Sequence, residues 1–160
     1  MRPGLNFVCM ELSAAIQTLE KHIAEIPQRF ATFSKDDLLS RPAPGKWSKQ
    51  EILGHLADSA LNNLKRFTEC QFIPQPYRVA RYFQDALVVA NGYQRLPLGQ
   101  VMDLWKALNQ QILFVMKEVP KEKLGYEVIT PSGESRTLEW LMIDYVVHME
   151  HHWGQVFTSN

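Results

Sequence analysis

No uninterrupted apolar run in this chain approaches the roughly 20 residues that a membrane-spanning helix requires, so no helical membrane anchor is expected. Cysteine is scarce. Cys9 and Cys70 make no CxxC pair and are too few for a disulfide framework, which points to free thiols in a reducing cytoplasm. An excess of either charge is also missing: 17 basic residues offset 17 acidic ones. A nucleic-acid partner is therefore not expected, because such proteins gather basic residues on one face. Met1-Arg2-Pro3-Gly4 leads into a pattern broken by Glu11, without the apolar block and small-residue cleavage site of a secretory signal. What is present is a globular balance, 46% apolar and 21% charged over 160 residues, enough for one domain spanning 1–160.

Apolar residues recur at three- and four-residue steps in four long stretches, each the stripe of an amphipathic helix. The first runs from about Asn6 to Ile26 through Val8, Leu12, Ile16, Leu19 and Ile23, and a loop with Pro42, Pro44 and Gly45 follows. Ser48-Lys49-Gln50-Glu51 is a capping box that starts the second, with Trp47 and Ile52 placed for a hydrophobic staple. That helix fades near Pro74 and Pro76. Residues 78–91 form a short element stopped by Asn91-Gly92. The third long helix spans about Leu98 to Val119, ended by Pro120, and the fourth about Thr137 to Phe157. Tyr126 to Ile129 is the only β-like stretch. The fold class is all-α, a four-helix bundle with a connection long enough for a crossover.

The chemistry lies with histidine. At about 100° per residue, with Leu141 at zero, Tyr145 falls near 40°, His148 near −20° and His152 near 20°. The two imidazoles thus sit on the inner stripe one turn apart, able to converge on one metal ion or to serve as hydrogen-bonded core histidines. With His55 at zero, Ser59, Asn62 and Arg66 lie within about 40° of it, a polar file that implies a pocket along the bundle and suits substrate binding. Asp58 and Asp144 each read as a partner for an imidazole N–H or as a solvated helix carboxylate; Asp58 also reads as a catalytic base. Tyr145 reads as a packed bundle tyrosine or as a catalytic donor to a substrate oxygen. His151 lies off the stripe, His22 at the edge of the first helix, and Cys70 roughly 22 Å beyond His55 at 1.5 Å per residue.

Trp47-Ser48-Lys49-Gln50-Glu51 followed by His55-Leu56-Ala57-Asp58, with His148-Met149-Glu150-His151-His152-Trp153-Gly154-Gln155 near the C-terminus, resembles the DinB superfamily. The resemblance implies an up-down-down-up four-helix bundle, often a homodimer. It also implies a divalent metal ion held by His55, His148 and His152. Trp153 departs from the relatives, where a basic residue is frequent, and leaves the ligand set intact. Members include S-transferases that use a low-molecular-weight thiol such as bacillithiol, mycothiol or glutathione. Three neutral imidazoles leave a coordination position open, which is the arrangement of a catalytic site. A metal-dependent enzyme, with zinc or nickel, a thiol cosubstrate and a small-molecule substrate, is the first functional reading. A non-catalytic metal-binding stress-response module is the alternative.

Overall fold

The computed structural model describes residues 10–158. The second long helix begins where its capping box predicts: Ser48 Oγ accepts from the Glu51 N–H, and the Glu51 carboxylate accepts from the Ser48 N–H at 2.9 Å. Arg41 pairs with the far side of that carboxylate. Burial pushes the Glu51 carboxyl up, and the Arg41 and Ser48 bonds outweigh it, holding the group below its ordinary value. The first turn of this helix is thereby fixed from three directions.

In chain order the elements are α1 (Leu12–Phe30), α2 (Lys35–Leu39), α3 (Lys49–Glu69), β1 (Tyr77–Arg78), α4 (Gln84–Asn91), α5 (Leu98–Glu118), β2 (Glu127–Ile129), β3 (Ser135–Thr137) and α6 (Leu138–Phe157). The long helices α1, α3, α5 and α6 make an up-down-down-up bundle. Both α1 and α3 pack on α5 and on α6, so α1 and α3 stand at opposite corners. Residues 70–97 are the long crossover between α3 and α5. None of the described helices is long and apolar enough to cross a membrane.

The end of α1 and the loop after it differ from the sequence expectation. The start of α1 near Asn6, with Val8 and Cys9, falls outside the described residues; the helix is seen from Leu12. It does not stop at Ile26 but continues through Pro27 to Phe30. Phe30 is fully buried, edge-on to Trp153 and Phe157, and this packing carries the chain one turn past the proline. The loop after it holds a short helix, α2, whose Ser34 and Asp37 form a second capping box. The β-like stretch is real, and finds two partners: β2 pairs parallel with β1 and antiparallel with β3. Gly92, at φ 61, closes α4 in the left-handed conformation that glycine tolerates best.

The core is aromatic at one end. Trp105 and Trp153 meet edge-on at 5.5 Å, and Trp153 also touches Phe30 and His22. Trp153 therefore fills the space between α1, α5 and α6. His22 pairs with Glu150 on α6 across that seam.

The crossover is clamped to one face of α3, one contact per turn. Gln50 Nε2 donates to the carbonyls of Tyr93 (2.7 Å) and Leu96 (2.9 Å). Gly54 lies directly under the Tyr93 ring. Asp58 Oδ1 accepts from the Tyr93 hydroxyl (2.6 Å) and from Asn91 Nδ2 (2.8 Å). The spacing i, i+4, i+8 makes these three a single file along α3. The face carrying His55 is left for α6.

Candidate metal centre

His55 sits in the second turn of α3, fully buried, while His148 and His152 project from α6 one turn apart. One ring nitrogen from each lies within 4.8 Å of the other two. His148 Nε2 and His152 Nε2 are 3.1 Å apart. Two nitrogens bound to one ion at about 2.0–2.1 Å, at tetrahedral or octahedral angles, stand roughly 2.8–3.4 Å apart. The observed separation fits.

The deciding feature is His55. Neither its Nδ1 nor its Nε2 has a hydrogen-bond partner, although both are buried. A buried polar atom without a partner loses its water and gains nothing in return, a penalty of about 1–3 kcal/mol. A neutral imidazole carries one lone-pair nitrogen and one N–H, and a cation at the lone pair would relieve the penalty on that nitrogen, so the donor set suits a metal ion.

His152 is oriented for the same role. Its Nδ1 pairs with Gln155 Oε1 at 3.0 Å; with the proton on Nδ1, Nε2 presents its lone pair to the cluster. Trp47 lies over the site, its ring 4.7 Å from that of His55 and 6.3 Å from that of His152. Burial, reinforced by the two neighbouring imidazoles, depresses the His55 pKa from 6.5 to about 3. Burial also lowers that of His152. Both rings are thus held in the neutral, ligating form at pH 7.

Two predictions arise here. Gln155→Ala is expected to weaken metal affinity by roughly tenfold or more, read by competition with a chromogenic chelator, since it frees the His152 tautomer. The second concerns acid. In metal-free protein the unfolded chain takes up a proton on His55 below pH 6.5 that the folded chain refuses until about pH 3. Stability is then present above pH 6.5 and lost as pH falls through that window, with a slope of at most about 1.4 kcal/mol per unit for this proton. Urea midpoints measured between pH 7 and 4 in the presence of chelator check the sign.

The profile of the DinB superfamily matches residues 18–156. The chain belongs to the DinB superfamily. YfiT from Bacillus subtilis, described as a probable metal-dependent hydrolase with an unusual four-helix bundle topology, superposes with a TM-score of 0.82. It is 20% identical and the match covers 98% of this chain and 89% of YfiT. A mycothiol-dependent maleylpyruvate isomerase superposes with a TM-score of 0.69 at 12% identity, over 94% of this chain and 64% of that one. No curated protein sequence gives a match. At these identities the two structures speak for the DinB fold and no further.

The other residues of interest fall around this DinB-type cluster unequally. Asp58 is not the solvated carboxylate of the bland sequence reading; it is 6% exposed and held by Tyr93 and Asn91 on the crossover side of α3. Burial raises its pKa against those two bonds. The Tyr145 hydroxyl donates to Asn109 Oδ1 at 2.6 Å in a fully buried pair, with Phe67 edge-on to its ring. Ser59 is buried beside Asn63. Asn62 and Arg66 line an open cleft of about 430 Å³ that includes none of the three histidines. Asp144 is half-buried on α6, and His151 is exposed with Nε2 against Gln155. Cys70 is a buried thiol at the C-terminus of α3, its pKa raised by burial.

Sequence reasoning passed over Gln155 and the Asp58–Tyr93 bond, and gave Trp47 only a stapling role. Gln155 had a signal, standing three residues after His152 on one helix face. The Asp58–Tyr93 bond had none, since 35 residues separate its partners.

Proposed function

We propose that this protein is a metal-dependent enzyme that acts on a small molecule, with His55, His148 and His152 holding one divalent ion, zinc or nickel. Imidazole nitrogen suits both metals. The observation that carries the reading is the pair of partnerless ring nitrogens on His55, facing two histidines whose spacing matches a shared ion. Three protein ligands leave a position open, and an ion bound there would supply the Lewis acidity that lowers the pKa of a thiol or a water.

The reaction class we propose is thiol S-transfer. A low-molecular-weight thiol gives up its proton and its sulfur attacks an electrophilic carbon, forming the C–S bond. The bond from that carbon to a leaving group such as halide breaks, and its electron pair departs with the halide. The protein's own groups have definable parts in it. Gln155 fixes the His152 tautomer. The Trp47 ring screens His55 and His152 on one side. His148, half-buried, marks the side open to an incoming molecule.

The test begins with untagged protein and elemental analysis, where about one equivalent of zinc or nickel per chain is expected. Protein that emerges without metal and cannot be reloaded sinks the proposal. Metal-loaded protein is then assayed for loss of each common thiol in the presence of a chromogenic haloarene. Metal without turnover, together with collapse of the fold in His148→Ala, would favour the non-catalytic metal-binding module instead.

A further inference from the structure

The cleft beside α3 has a charge imbalance that the fold does not explain. The chain as a whole is neutral, yet Lys65, Arg66 and Arg78 line this cleft against the single carboxylate of Glu69. That carboxylate is already engaged, by the Tyr77 hydroxyl at 2.7 Å and by Lys65 at 3.7 Å. Among the described residues, no carboxylate reaches Arg66 within salt-bridge distance.

Arg66 is held in place nonetheless. Its guanidinium donates to the Ala80 carbonyl (2.7 Å) and to Asn63 Oδ1 (3.3 Å), and stands over the Tyr82 ring at 5.3 Å. Two of its five N–H donors are used, leaving three in a fixed fork. Burial lowers its pKa, a sign that the cation is partly stripped of water. A half-buried, preorganised guanidinium without a counter-charge is unfavourable by itself and matches a planar or tetrahedral oxyanion. The cleft volume, about 430 Å³, suits a small molecule.

Its position relates it to the histidines. Asn62, which lines the cleft, follows His55 by seven residues, about 10 Å along the helix and within about 20° of the same face. We propose that this cleft binds the anionic end, a carboxylate or a phosphate, of the small molecule whose other end reaches the three-histidine cluster. Arg66 is the principal contact and Arg78 the second. The link to the cluster rests on the function proposed above; anion binding in the cleft does not.

The experiment titrates full-length labelled protein with succinate, inorganic phosphate and neutral succinamide, following backbone amide shifts across residues 62–80. A saturable, salt-sensitive response to at least one anion and none to succinamide is expected, and the stronger anion identifies the group. Arg66→Gln should weaken that anion by about tenfold or more, and Arg78→Gln by a smaller factor. Should Arg66→Gln fail to fold, the exposed Arg78→Gln decides. Absence of saturation with both anions, an equal response to succinamide, or unchanged affinity in the folded variants overturns the proposal. Wild-type protein stripped of metal by chelator is expected to bind the anion as untreated protein does. That result separates failure of the metal reading from failure of this one.

Discussion

His55→Leu is expected to abolish stoichiometric metal binding and, in metal-free protein, to raise stability. The two effects have one cause. The His55 ring is fully buried with both nitrogens unpartnered, so the folded metal-free protein carries a desolvation penalty of about 1–3 kcal/mol per orphaned group. Leucine has nearly the same volume and no polar atom, and it relieves that penalty where it fits the space left by the ring. Metal reverses the order. Wild type gains about 2.7 kcal/mol when free metal stands at a hundred times its dissociation constant, whereas the variant, with two ligands left, gains far less. Thermal melts of both proteins, with chelator and with excess zinc or nickel, should therefore cross. A metal-free His55→Leu protein less stable than metal-free wild type by several kcal/mol would mean that the ring is a satisfied structural group, and the metal reading would lose its foundation.

Gly54→Ala is expected to destabilise the protein by about 1–3 kcal/mol, against the usual gain from replacing glycine in a helix. Helix propensity alone favours alanine by roughly 1 kcal/mol at an interior position. Here the new Cβ would lie less than 3.0 Å from Cγ, Cδ2 and Cε2 of the Tyr93 ring. That ring cannot swing aside freely, because its hydroxyl donates to Asp58 and its carbonyl accepts from Gln50. Displacing it leaves the buried Asp58 carboxylate short of a donor and loosens the crossover along the Gln50–Gly54–Asp58 face of α3. The check is the urea midpoint of Gly54→Ala in wild type and in a Tyr93→Leu background. The loss should shrink markedly in the second, since the smaller side chain makes room for the methyl group. An alanine variant at least as stable as wild type would show that the contact with Tyr93 does not constrain α3.

These two residues sit side by side in the sequence and differ in how far it could explain them. The helix around them was legible because its signals are local. The Ser48–Glu51 capping box acts within one turn, and the apolar stripe of α3 repeats with the helix period. The same holds for α6, where the 3.6-residue repeat places His148 and His152 on one stripe. Their nitrogens do converge, as that repeat requires. Local signals failed where a distant partner decided the outcome. The apolar stripe places the end of the first helix near Ile26, yet α1 continues through Pro27 to Phe30, which packs on Trp153 and Phe157 of α6. Asp58 reads equally as an imidazole partner or base and as a helix carboxylate facing water, and its buried bond to Tyr93, from the far end of the crossover, lies beyond any local signal.

The candidate site divides along the same line. The amino-acid sequence by itself determined that four amphipathic helices would form and that two imidazoles would share the inner face of the last one. Both follow from hydrogen bonds and side-chain rows a few residues long. It also placed Asn62 and Arg66 on the His55 face of α3, by the same periodicity. Whether His55 would meet the pair on α6 was decided only by the tertiary structure, since helix rotation and axial offset between α3 and α6 depend on packing around the whole bundle. The packing also leaves both ring nitrogens of His55 without a hydrogen-bond partner, with the two imidazoles of α6 beside them. Burial thereby leaves His55 with a lone-pair nitrogen that could serve as a ligand beside the two histidines of α6.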